Sequence, residues 1–123
     1  MGIVSRKHLM FLGVDDNQTA QAFYEKTLGL RFVGDEMGTL VFDMAGTPLR
    51  ISQIDDFKPQ TFTVLGWNTD DIGAVTDALI DAGVDLIRYP GLPQDERGIA
   101  TLGTTRIIWF NDPAGNVLSF TQT

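Results

Sequence analysis

Hydrophobic and polar positions fall along this chain in an order that occurs twice. Residues 7–14, Lys-His-Leu-Met-Phe-Leu-Gly-Val, form a mostly apolar run that predicts a strand. Asp15 and Asp16 follow, and either can cap a helix over residues 17–27. Within it Ala20, Phe23, Tyr24 and Leu28 recur at helical spacing, and Gly29 supplies the stop. Three short strand-like runs come next, at 30–33, 39–44 and 49–54. Turn residues separate them at Gly34-Asp35 and at Ala45-Gly46-Thr47-Pro48.

The second half repeats this order. A strand over 61–67 leads to Asp70-Asp71, then to a helix over 72–82 with Val75, Leu79 and Ala82 on one face and Gly83 as the stop. Strand-like runs follow at 84–88, 104–110 and 117–121. Asp16 and Asp71 lie 55 residues apart, and Gly29 and Gly83 lie 54 apart. Gly46 and Gly115 are 69 apart, so the second copy carries about 15 extra residues, placed at 89–103. Loops of that length are often lids or binding loops. The pattern predicts an α+β fold over residues 1–123: module one at 6–54, a linker at 55–60 and module two at 61–122. Each module reads βαβββ. A unit of this size buries its core with difficulty alone. Pairing the two is therefore expected to give one curved mixed sheet, with helices on the convex side and an open concave cleft.

Composition narrows the function. The chain has no Cys, so disulfides, thiolate nucleophiles and thiolate metal sites are excluded. Thirteen Asp and three Glu against nine Lys plus Arg give a net charge of −7. That balance argues against nucleic acid, which needs a basic face. No apolar run approaches the ~18 residues of a membrane span. The start, Met-Gly-Ile-Val-Ser-Arg, has neither a secretory pattern nor a myristoylation pattern. A cytoplasmic location is the expectation.

Three stretches carry a family likeness: Val14-Asp15-Asp16 with 22–30 (Ala-Phe-Tyr-Glu-Lys-Thr-Leu-Gly-Leu); Thr69-Asp70-Asp71-Ile72 with 79–84; and 109–118, Trp-Phe-Asn-Asp-Pro-Ala-Gly-Asn-Val-Leu. In these the chain resembles the vicinal oxygen chelate superfamily. That family includes glyoxalase I, extradiol dioxygenases, methylmalonyl-CoA epimerase, fosfomycin-modifying enzymes and bleomycin-binding proteins. The resemblance implies that each module offers two ligands to one divalent ion. One, usually His, stands seven residues before the capping Asp; the other, usually Glu, stands on the last strand. Here those positions hold Leu9, Arg50, Val64 and Ser119. None is a usual ligand for such an ion. His8 is adjacent to Leu9, but a shift of one residue turns a strand side chain to the opposite face.

Strand alternation puts Leu9, Phe11, Phe42, Arg50, Ser52, Phe62, Ile107, Val64, Trp109, Val117 and Ser119 on the concave face. An apolar, aromatic surface with a few polar handles suits a small molecule; plain core residues would read the same way. Arg50 either binds a ligand anion, pairs with a local acid such as Asp43, or reaches the rim. Trp109 offers a stacking plate, whereas Trp67 is expected to point into the core. The doublets Asp15-Asp16, Asp55-Asp56 and Asp70-Asp71 read as caps and linker rather than as acid–base pairs. No Ser–His–acid set is expected, and 98–103 lacks the Lys and context of a phosphate loop.

The resemblance therefore implies a metal-independent small-molecule binding protein of the bleomycin-resistance sequestration type, without catalytic residues, cofactor or metal, and a homodimer. The alternative is a glyoxalase- or dioxygenase-like enzyme (lyase, isomerase or oxidoreductase) with an atypical site. A third reading is an accessory domain with a vestigial pocket.

Overall fold

A computed structural model describes Ile3 and residues 7–123. Arg6, the expected first residue of module one, lies outside the described residues, as does most of the N-terminal start read above. The chain divides into two compact units, Met1–Phe57 and Lys58–Thr123. Among the described residues no helix is long and apolar enough to cross a membrane.

In unit one, β1 (Met10–Val14) is followed by α1 (Asn17–Ala22), which runs into a π-helical turn at Phe23–Thr27; β2 (Arg31–Glu36), β3 (Thr39–Met44) and β4 (Thr47–Gln53) complete it. The sheet order is β1-β4-β3-β2. β1 runs parallel to β4, from Met10↔Leu49 to Val14↔Gln53, and the other pairs are antiparallel, so the sheet is mixed. Of the two Asp at the helix start, Asp16 caps: its carboxylate accepts from Thr19 N at 2.8 Å and from Thr19 Oγ1 at 2.7 Å.

The helix expected over 17–27 changes geometry midway. Leu28 N donates to Phe23 O at 3.0 Å, an i→i−5 bond. The wider turn lets the consecutive residues Phe23 and Tyr24 both be buried, edge to face at 5.3 Å. Gly29 then ends the helix at φ +76.

β1 starts at Met10, leaving Lys7, His8 and Leu9 ahead of it rather than within a strand over 7–14. The first hairpin also differs from expectation. Its turn is Met37-Gly38 (φ +56 and +91), not Gly34-Asp35; Gly34 lies inside β2, beside a bulge between Phe32 and Gly34. The second turn is Ala45-Gly46 (φ +52 and +98). Asp35 Oδ1 accepts from Gly38 N at 2.7 Å and Asp43 Oδ1 from Gly46 N at 3.0 Å, so the two turns are built alike.

Unit two holds β5 (Thr63–Asn68), α2 (Ile72–Asp81), β6 (Ala100–Leu102), β7 (Thr105–Asn111) and β8 (Val117–Gln122), in the order β5-β8-β7-β6. β5 pairs parallel with β8. Asp71 caps α2, accepting from Ala74 N at 3.0 Å, and Gly83 (φ +82) follows its end. Ile72, Thr76 and Leu79 face the sheet, with the Thr76 hydroxyl satisfied by donating to Ile72 O at 2.7 Å. Trp67, Phe120 and Phe110 stack in sequence at 5.3 and 5.8 Å, which puts Trp67 in the core layer.

The strand expected over 84–88 does not form. Leu86 makes one bridge to Phe110, and Ile87 N donates to Trp109 O at 2.8 Å. The strand beside β7 is instead β6, drawn from the stretch read as an insertion. The edge of β7 is thus covered in two pieces, by 86–87 and by 100–102, and the chain between them folds on itself.

Candidate functional site

Partnered residues of neighbouring strands share a face of the sheet. In unit one, Leu40, Phe42, Leu49, Ile51 and Leu12 take the helix side and are buried. Phe42 is therefore a correction: it lies on the core face, fully buried at 0% exposure, against Tyr24 and Phe32. Its register with Leu49 turns it away from Arg50.

The helix-free face of that sheet brings Phe11, Gly13, Arg50 and Ser52 together through the pairs Phe11↔Arg50 and Gly13↔Ser52. Phe11 is 68% exposed and Leu9, just ahead of β1, is 51% exposed. A Cβ on Gly13 would lie 2.7 Å from Ile54 Cδ1 and 2.8 Å from a Phe57 ring carbon, so only Gly lets that apolar segment fold over the sheet. Arg50 Nη1 lies 3.0 Å from Glu36 Oε1, with the Arg50 side chain 28% exposed. Its partner is not Asp43, whose carboxylate lies 3.7 Å from Arg31 Nε. Ser52 Oγ is 3.4 Å from Thr39 Oγ1.

In unit two, Trp109↔Ser119 and Gly66↔Ser119 define the corresponding face. Ser119 is 9% exposed, and a Cβ on Gly66 would lie 2.5 Å from its Oγ. Ile107 and Val117 share the face by register; Val64 sits at a bulge between Thr63 and Leu65; Phe62 precedes β5 and is 62% exposed. Tyr89 stands edge to face against Trp109, centroids 5.1 Å apart and planes at 88°. Tyr89 escaped the sequence reading because it lies in irregular chain, where no periodicity assigns a face. The Pro- and Gly-bearing insertion was the signal available. A separate open depression of about 240 Å³ on α1 is lined by Gln18, Gln21, Ala22, Glu25 and Lys26 and contains none of these residues.

The residues do not fit a divalent ion at the family's ligand positions. Leu9 and Val64 carry no donor atom, Arg50 is a cation already paired with Glu36, and Ser119 offers one neutral hydroxyl packed over Gly66. His8 Nε2 lies 3.3 Å from Thr47 Oγ1, and Thr47 shares the face of Leu49 and Ile51, opposite to that of Arg50. Among the described residues, no group of three or more His, Cys, Asp and Glu is placed to hold a metal.

Solved structures with this fold are numerous. TnmS3, an antibiotic binding protein from Streptomyces sp. CB03234, is 26% identical, with TM-score 0.76 over 99% of this chain and 98% of that one. An integron cassette protein from the mobile metagenome of V. Pseudocholerae is also 26% identical, with TM-score 0.67 over 99% and 96%. The fosfomycin resistance protein FosX from Listeria monocytogenes shares the fold at 15% identity and TM-score 0.79, over 98% and 95%. No curated protein matches the chain in sequence. The family model matches residues 6–120, and with two βαβββ modules behind that match the chain belongs to the Glyoxalase/Bleomycin resistance protein/Dioxygenase superfamily.

Proposed function

We propose that this protein binds a small molecule without a metal, in the manner of the sequestration proteins of its superfamily, and that it does so inside the cell as a homodimer. The observation that carries this reading is the donor set: Leu9, Arg50, Val64 and Ser119 stand where the superfamily's enzymes hold His and Glu. Those enzymes use the ion to polarise substrate oxygens, and these four side chains cannot replace it. Support also comes from the faces themselves. Phe11 with Arg50 in unit one, and Tyr89 with Trp109 in unit two, combine apolar area with few polar groups, as small-molecule sites do. TnmS3, with the same fold and 26% identity, binds an antibiotic. Ligand-facing roles fall to Leu9, Phe11, Arg50, Ser52, Phe62, Val64, Trp109 and Ser119. Native mass spectrometry of the purified protein tests the reading. A dimer carrying a co-purified organic molecule is the expected species; a monomer with no adduct, and no thermal stabilisation by any member of an antibiotic panel, contradicts it.

A further inference from the structure

Gln94 makes three hydrogen bonds to backbone and uses its whole carboxamide to do so. Its Oε1 accepts from Tyr89 N at 2.7 Å. Its Nε2 donates to Ile87 O at 3.0 Å and to Gly98 O at 2.9 Å. Ile87 in turn donates its N–H to Trp109 O at 2.8 Å, so an unbroken chain of bonds runs from the Trp109 main chain through Ile87 and Gln94 to Tyr89.

The rest of the insertion is fixed at independent points. Asp95 Oδ1 accepts from Arg97 N at 3.0 Å and from Ile99 N at 2.9 Å. Ile99 and Ala100 are buried. Arg97 reaches α2, with Nη1 2.7 Å from Asp77 Oδ1. Segments that open readily have few buried contacts and solvent-exposed backbone bonds. This one has buried anchors and a side chain clipping its neck.

From this we infer that Gln94 is the positioning residue of the unit-two surface: it holds the insertion as a preformed wall, not a closing lid, and sets Tyr89 at right angles to Trp109. The inference rests on the binding role proposed above. Two rings at 88° make an aromatic corner in which a flat ring stacked on one presents its edge to the other, both favourable arrangements. A corner built before the ligand arrives saves the ordering cost of binding. The position needs one acceptor and two donors on a single group, which a carboxamide supplies and a carboxylate does not. Glu at position 94 keeps the volume but turns acceptors toward the carbonyls of Ile87 and Gly98.

The test compares Gln94→Glu with the native chain. Hydrogen exchange at the Tyr89 amide is expected to accelerate about tenfold or more, with the core amides of Ile108 and Leu118 unchanged. In a Trp67→Phe background, Trp109 becomes the sole tryptophan. Its near-ultraviolet circular dichroism without ligand should weaken in the Glu variant, and its affinity for 2-naphthol, the flat neutral probe, should fall about tenfold. Gln94→Met gives the same comparison where Glu disrupts folding. Unchanged Tyr89 exchange and an unchanged Trp109 signal in a folded variant overturn the inference. So does 2-naphthol affinity that persists after both signals are lost. Absence of 2-naphthol binding by the native chain counts instead against the binding role of this face, and the Tyr89 exchange still decides the role of Gln94.

Discussion

Phe42 and Phe11 show what a single position in the register decides. Both are aromatic strand residues expected on the same face, yet Phe42 pairs with Leu49 on the core side and Phe11 with Arg50 on the other. The alternation was legible within each strand. The offset between strands was not, because the tight Ala45-Gly46 turn sets it, pairing Met44 with Thr47 and so Phe42 with Leu49. Phe42→Ala is expected to cost about 3–5 kcal/mol, and Phe11→Ala less than about 1 kcal/mol, in urea unfolding. Comparable costs would mean the faces are assigned wrongly. Arg50 was visible as an anomaly, but its partner Glu36 was not, since the two meet only across the folded sheet. Asp16 and Asp95 are both held below the ordinary carboxyl value of 3.8. For Asp16 the Thr19 hydroxyl bond is the main cause, followed by the Thr19 backbone N–H. For Asp95 the largest single influence is desolvation, which raises the value; it is outweighed by bonds from Ile99, Arg97 and Gly98 together with the charge of Arg97. A depressed folded value stabilises the native state above the ordinary value, and that contribution is lost as pH falls through the folded one. The urea midpoint is therefore expected to fall below about pH 4, and Asp95→Asn to flatten that limb.

At the scale of elements, helices and their caps were legible because Asp16, Asp71, Gly29 and Gly83 act locally. The π turn was not, because it answers a tertiary demand: burying Phe23 and Tyr24 side by side. Nor was the replacement of 84–88 by β6, which depends on which segment reaches the edge of β7. The hairpin turns carry residues poorly suited to them. Met37 and Ala45 occupy positive φ without the local hydrogen bonding that Asn offers. Met37→Asn is expected to raise stability by about 0.5–1 kcal/mol, read as a higher melting temperature; a lower one would contradict the assigned turn. Gly66 marks the opposite case. Gly66→Ala drives a Cβ against Ser119 and is expected to cost about 1–3 kcal/mol, partly relieved by adding Ser119→Ala.

For the whole molecule, repeat order and acidic charge were readable because both survive local errors in element boundaries. The family was readable too, since its marks in the first helix and the final turn are local sequence. Ligand identity was not readable, because the faces that would hold it are assembled from strands far apart in the chain and from Tyr89 in irregular structure. What the resemblance implies is a site without the metal's chemistry: Leu9, Arg50, Val64 and Ser119 stand where it places His and Glu. Metal analysis of protein purified without a His-tag, after incubation with zinc, manganese and nickel and then desalting, tests that claim most directly. The account predicts far less than one ion per chain and an unchanged melting temperature; about one tightly held ion per chain, with a raised melting temperature, would contradict it.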